Sequence, residues 1–224
     1  MSYTEYVTSI QPETKTADDI FAKVGGTRDG AAFSADWVLA RCKEGRVYVA
    51  NVGTATGPAS FGAGVIDTTE FDLFVSVPAN TTVIPLELSI QVEAWGTVAL
   101  FETMAIFGSG GVTGAGSSVT PKNIRTDLPN ASLCTITSSA TAASGTAITG
   151  AEFFRAGHII TLTPTTASDA AGAGQRTKFQ WSHKDAGYSP IIVGAGQLGV
   201  FVSGQASTGF ITLVYVEIPS TRIV

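Results

Sequence analysis

Residues 86–93, Leu86-Glu87-Leu88-Ser89-Ile90-Gln91-Val92-Glu93, alternate apolar and polar side chains without a break. Successive side chains of an extended strand point to opposite faces. The pattern therefore predicts a strand with Leu86, Leu88, Ile90 and Val92 on a core and Glu87, Ser89, Gln91 and Glu93 in water. A helix would scatter the same residues around its circumference. Further strands are predicted at 46–52, 71–77, 131–137, 159–163, 177–181, 190–193, 197–203 and 210–218. In the last of these, Phe210, Thr212, Val214, Val216 and Ile218 share one side. Residues 98–107 are apolar on both sides, with Val98, Leu100, Met104 and Ile106 opposite Phe101, Ala105 and Phe107. Such a strand is covered twice, within a sandwich or by another subunit, and Phe101 and Phe107 are expected near subunit contacts.

Helical signals are confined to the beginning of the chain. Thr16, followed by Asp18 and Asp19, predicts a capped helix over 16–24, ended by Gly25-Gly26. Ser34 predicts the cap of a second helix reaching Lys43 and stopped by Gly45, although Trp37-Val38-Leu39 also fits a strand. The tracts 108–118 and 138–145 are rich in Gly, Ser, Thr and Ala and read as long surface loops. Many short strands divided by Gly and Pro predict an all-β fold, an antiparallel β-sandwich. Long connections favour Greek keys over simple hairpins, which makes the sandwich of jelly-roll type. Residues 1–35 are expected to form an amino-terminal arm with one or two short helices, and 36–224 the sandwich domain.

Composition narrows the possible functions. Charged residues are 14% of the chain against about 25% in ordinary globular domains. A surface so poor in charge tends to bury itself against copies of the same chain. The 13 Lys and Arg residues are scattered, Glu44 interrupts the densest group, Arg41, Lys43 and Arg46, and the net charge is -5. Phosphate neutralisation needs clustered cations, so no nucleic-acid partner is expected. Apolar runs are short and broken by Glu, Thr, Gly and Pro, so no membrane span is expected. Residues 1–15 lack a basic start and an apolar stretch, which excludes a secretory signal there and implies use in a cytoplasm. Cys42 and Cys134 accordingly read as free buried thiols rather than a pair.

Several motifs resemble chemistry without completing it. Gly194, Gly196 and Gly199 follow an apolar run in dinucleotide-fingerprint spacing, and Glu217 stands where a ribose-binding acid belongs. The fingerprint needs a helix after its glycines to hold the pyrophosphate. Here Val200-Phe201-Val202-Ser203-Gly204 follows, a poor helix former, so a glycine-bent strand pair is expected instead. Asp67, Glu70 and Asp72 offer oxygens to a hard cation, but their spacing matches no established loop. His158 and His183 lie in no metal-ligand spacing, and no nucleophile elbow is present. Asn80-Thr81-Thr82 and Asn130-Ala131-Ser132 match the glycosylation pattern, which is idle without secretion. Trp37, Trp95 and Trp181 read as core or interface residues before sugar platforms. No catalytic, cofactor or metal residue is assigned, and no enzyme activity is expected.

Three segments carry a family resemblance: Val52-Gly53-Thr54-Ala55-Thr56-Gly57-Pro58, Val77-Pro78-Ala79-Asn80-Thr81-Thr82-Val83-Ile84-Pro85-Leu86 and Gln91-Val92-Glu93-Ala94. Asn123-Ile124-Arg125-Thr126-Asp127 and the closing 208–219 look similar too. The chain resembles jelly-roll head proteins of tailed bacteriophages that decorate or cement the capsid. The resemblance implies a homotrimer seated on the major capsid protein, located in the virion head and assembled in the host cytoplasm. Its rival is a head-fibre or fibre-tip module that grips host glycans through loops 108–118 and 167–174.

Overall fold

The computed structural model describes residues 36–62, 64–95, 100–110, 114–127, 130–142, 148–159, 177–204 and 207–220. The arm 1–35, its helix 16–24, residues 160–163 and the loop 167–174 lie outside them. Two packed antiparallel sheets make up the described chain, a β-sandwich. In chain order the elements are α1 (Trp37–Lys43), β1 (Val47–Val52), β2 (Ala59–Ser60), β3 (Glu70–Val77), β4 (Thr81–Ala94), β5 (Leu100–Ser109), β6 (Gly114–Val119), β7 (Lys122–Asn123), β8 (Thr135–Ala142), β9 (Gly150–Ile159), β10 (Lys178–Ser182), α2 (His183–Ala186), β11 (Ile192–Val193), β12 (Gly196–Val202) and β13 (Thr208–Pro219).

One sheet runs β10-β4-β13-β1-β7, with β11 also on β4 and β2 also on β13; the other runs β6-β8-β3-β12-β5-β9. The eight long strands other than β6 and β8 pair in a nested way. β1 pairs β13, β3 pairs β12, β4 pairs β10 and β5 pairs β9. Residues between β5 and β9 form a side excursion: β6 and β8 extend the second sheet beyond β3, and β7 extends the first beyond β1.

The core between the sheets takes alternate residues from each strand, as the pleat requires. Leu73, Val75 and Val77 of β3 meet Leu88, Ile90 and Val92 of β4, Phe101 and Ala105 of β5, Leu198 and Val200 of β12, and Ile211, Leu213 and Tyr215 of β13. Trp95 packs edge-on to Phe101 at 4.8 Å, and Phe101 stacks on Phe179 at 5.4 Å. Phe101 is therefore a fully buried core residue and not a subunit contact.

Both sheets are also apolar on their outer faces. α1 lays Val38 and Cys42 over Val47, Leu86, Val216 and Ile218 of the first sheet. On the second, Phe71, Phe74, Met104, Ile106 and Phe201 are closed over by Ile148 and Ile66 from connecting segments. Apart from Leu100, which is about half exposed, the two apolar sides of residues 100–107 are thus covered within the chain.

Several expectations are corrected. α1 begins after Asp36, whose Oδ1 accepts the Val38 N–H at 2.7 Å, so Asp36 and not Ser34 is the described cap. Leu86 does not share a side with Leu88: the register with β13 shifts between Val214 and Tyr215, leaving Leu86 unpaired at a bulge and turned under α1. On β13 the expected grouping holds: Val214, Val216 and Ile218 share one side, which faces outward, while Ile211, Leu213 and Tyr215 face the core. Residues 108–109 and 114–118, and the described part of 138–145, are not loops: the first two end β5, and the others lie in β6 and β8, which pair with each other. Small side chains are what the pairing needs, since a Cβ on Gly116 would lie 2.4 Å from the Ser138 carbonyl oxygen. β9, which alternation did not identify, pairs β5 along its full length with a bulge opposite Ala105 and Ile106.

Candidate functional site

The most elaborate polar cluster lies where the second sheet's β8 is entered and the first sheet's β13 ends. Alternation along β13 puts Ile211, Leu213 and Tyr215 inward, and Glu217 continues that side into a buried position. A carboxylate buried there needs hydrogen bonds. The segment before β8 supplies them: Ser132 Oγ–H donates to Glu217 Oε1, and the Leu133 N–H donates to Oε2 at 3.0 Å. Ser132 Oγ also contacts the Tyr215 hydroxyl at 2.9 Å and accepts the Cys134 N–H at 3.1 Å. Burial pushes the Tyr215 hydroxyl and the Cys134 thiol far above their usual ranges, and the charge of Glu217 pushes both in the same direction. Both groups therefore stay protonated at neutral pH.

A cleft of about 430 Å³ opens beside this cluster, lined among others by Arg46, Tyr48, Asn80, Asn130, Leu133 and Glu217. Arg46 is paired with Glu44 at 3.2 Å, so its charge is already committed. Ser132 is bound to a carboxylate and a phenol, and no imidazole is among its partners. The arrangement ties the two sheets together at one end of the sandwich. The acid at the end of an otherwise apolar inward-facing row was the signal for it; the fingerprint spacing drew Glu217 into a different reading.

The other marked residues fall in separate places. Gly196 and Gly199 lie inside β12, and no helix follows them before β13 among the described residues, so the dinucleotide fingerprint is not formed. A Cβ on Gly199 would stand 2.7 Å from Ile148 and 2.8 Å from Phe71, which explains that glycine by packing. The acidic trio is split. Asp67 caps its own turn through Thr69, whose N–H and hydroxyl hold its carboxyl below the usual range. Glu70 is exposed, and Asp72 is buried. Among the described residues no group of three or more His, Cys, Asp or Glu is gathered as a metal set. His158 packs on Trp95, whereas His183 Nδ1 lies 3.0 Å from the Leu86 carbonyl oxygen at the start of α2. Trp181 is buried against Phe153, and Trp37 stands partly exposed on α1 beneath Arg41. Cys42 and Cys134 are both free thiols. No described helix is long and apolar enough to cross a membrane.

No family model matches the sequence, and no characterised protein or solved structure matches it at a significant level. The fold and the cluster together define the class of protein: an antiparallel two-sheet β-sandwich with a polar strut between its sheets.

Proposed function

We propose that the sandwich is a jelly roll and that the protein is a non-enzymatic virion subunit of a tailed bacteriophage. In this reading it is a homotrimer that binds the major capsid protein and stabilises the head shell as a decoration or cement protein. The nested strand order carries the reading. Strands β1-β13-β4-β10 and β3-β12-β5-β9 pair first with last and inward in sequence. Eight strands folded over in this manner make two Greek keys, an architecture used by viral capsid proteins.

The residues that resemble head proteins support the same reading. They supply both ends of β4, all of β13, the segment between β1 and β2, and the residues that follow β7. The low charge suits a subunit that buries its flanks in a symmetric assembly. Leu100, Ile159, Ile191 and Val193 are about half exposed or more and offer apolar surface for such contacts. The polar strut adds rigidity and needs no substrate.

The test uses the full chain. Its mass in solution is measured, and it is then added to purified head shells that lack it. A species of three chain masses that binds shells and raises their resistance to heat is the expected result. A monomer that leaves the shells unchanged overturns the proposal. A specific hit on a glycan array without shell binding transfers the assignment to a fibre-tip module.

A further inference from the structure

The cleft beside the polar strut carries an unbalanced charge. Glu217 lines it and is 6% exposed. The Ser132 hydroxyl and the Leu133 N–H both donate to its carboxyl, and such bonds favour the ionised form. Among the described residues Glu217 makes no ion pair. Arg46 is the basic side chain on the described cleft wall, and its Nε is taken by Glu44 at 3.2 Å. Arg41 holds the same Glu44 oxygen at 2.7 Å. The described lining thus sets two carboxylates against one guanidinium, and the buried carboxylate is the one without a counter-charge. A buried charge left in that state is unfavourable.

Acceptors for an incoming cation are already in place. A carboxylate has about four lone-pair positions, and Ser132 and Leu133 use two of them. The buried Tyr48 hydroxyl stands on the same wall, and its bond to the Ala131 carbonyl oxygen is long, 3.5 Å. Burial first, and then the charge of Glu217, push that hydroxyl above its usual range, so it stays an uncharged phenol. Asn80 and Asn130 are exposed and add carboxamide oxygens at the rim. Leu133, 69% exposed, and Pro219 give the cleft an apolar side.

We propose that this cleft receives a lysine side chain of a partner protein, with the ammonium beside Glu217 and the aliphatic stem along Leu133. The inference goes beyond the virion reading and does not depend on it. Charge complementarity selects a cation: an anionic ligand would meet two carboxylates and a guanidinium that is already engaged. An ammonium fits better than a guanidinium. Both Glu217 oxygens already hold a donor, which denies a two-pronged fork, whereas an ammonium takes separated acceptors one at a time. A saccharide favours an open aromatic face, and the Tyr48 ring is instead stacked on Tyr215 at 5.8 Å. The cleft, about 430 Å³, has room for a four-carbon stem.

The probe is n-butylammonium, which is a lysine side chain without its backbone, titrated into the full-length protein and followed by amide NMR. The Ala131 and Leu133 amides should shift saturably, with half-saturation on the order of 10 mM at low salt. Sodium chloride at about 0.5 M should weaken the binding severalfold. n-Butanol, the same stem without the charge, should leave those amides in place. Glu217→Gln keeps an acceptor for the Leu133 N–H and should weaken butylammonium binding roughly tenfold. Where that variant does not fold, the comparison of butylammonium with butanol on the unaltered protein decides. No saturation up to about 100 mM, equal shifts with butanol, or unchanged binding in a folded Glu217→Gln overturns the proposal. N-acetylglucosamine shifting the same amides in place of butylammonium overturns it too, and gives the cleft to a saccharide.

Discussion

Removing the Phe101 ring separates the core reading from the subunit-contact reading more sharply than any other truncation. Phe101 is fully buried, stacked on Phe179 at 5.4 Å and met edge-on by Trp95 at 4.8 Å. Phe101→Ala deletes all of these contacts and leaves a cavity between two sheets that cannot close without moving both. Such truncations cost about 3–5 kcal/mol. Ile159 pairs with Leu100, right beside Phe101 in the same strand pair, and yet is 75% exposed. Ile159→Ala should therefore cost less than about 0.5 kcal/mol. Urea unfolding followed by tryptophan fluorescence, at one fixed protein concentration, measures both. With a slope of about 3 kcal/mol per M, Phe101→Ala should lower the midpoint by roughly 1–1.7 M, and Ile159→Ala by less than about 0.2 M. If Phe101→Ala costs less than about 1 kcal/mol, or Ile159→Ala costs as much as it does, the assignment of the β5 faces is wrong.

Two further outcomes follow from the strut. Glu217→Ala deletes the acceptor of the Ser132 hydroxyl and the Leu133 N–H, and should destabilise the protein by about 1–3 kcal/mol. Limited proteolysis should then cut within 130–134 first; cleavage elsewhere with 130–134 intact contradicts the strut. Cys134, whose thiol is raised by burial and by Glu217, should stay unmodified by a thiol reagent at pH 8 until the protein unfolds. Mass spectrometry of native and urea-treated samples checks this, and rapid native labelling of Cys134 refutes it.

The strands with one wet face were the readable part of the sequence. Leu88, Ile90 and Val92 are buried, while Glu87, Ser89 and Gln91 are partly exposed, because the solvent beside this region rewards strict alternation. Leu86 escaped that logic because strict alternation ignores bulges, although Pro85 beside it, a residue confined to edges and bulges, stands where β13 shifts register. On β13 both sides are apolar, since α1 covers the outer one, so periodicity alone had no means of choosing the inward set. β6 was hidden for the opposite reason. Gly114, Gly116, Ser117 and Ser118 lack strand propensity, and the close approach to β8 that selects small residues is a tertiary fact. The polar strut joins Ser132 to Glu217 across 85 positions, a distance over which no sequence pattern links a serine to an acid.

The nested pairing constrains how the molecule comes into being. Asn51 of β1 and Thr212 of β13 bond to each other across 161 positions, so the earliest long strand waits for the latest. During synthesis β1 and β4 flank an empty slot until residues 208–219 emerge from the ribosome. Both then expose open edges, on a nascent polypeptide with little charge to keep neighbours apart. Folding governed by such distant partners is slow and leaves the half-made sheet vulnerable to aggregation.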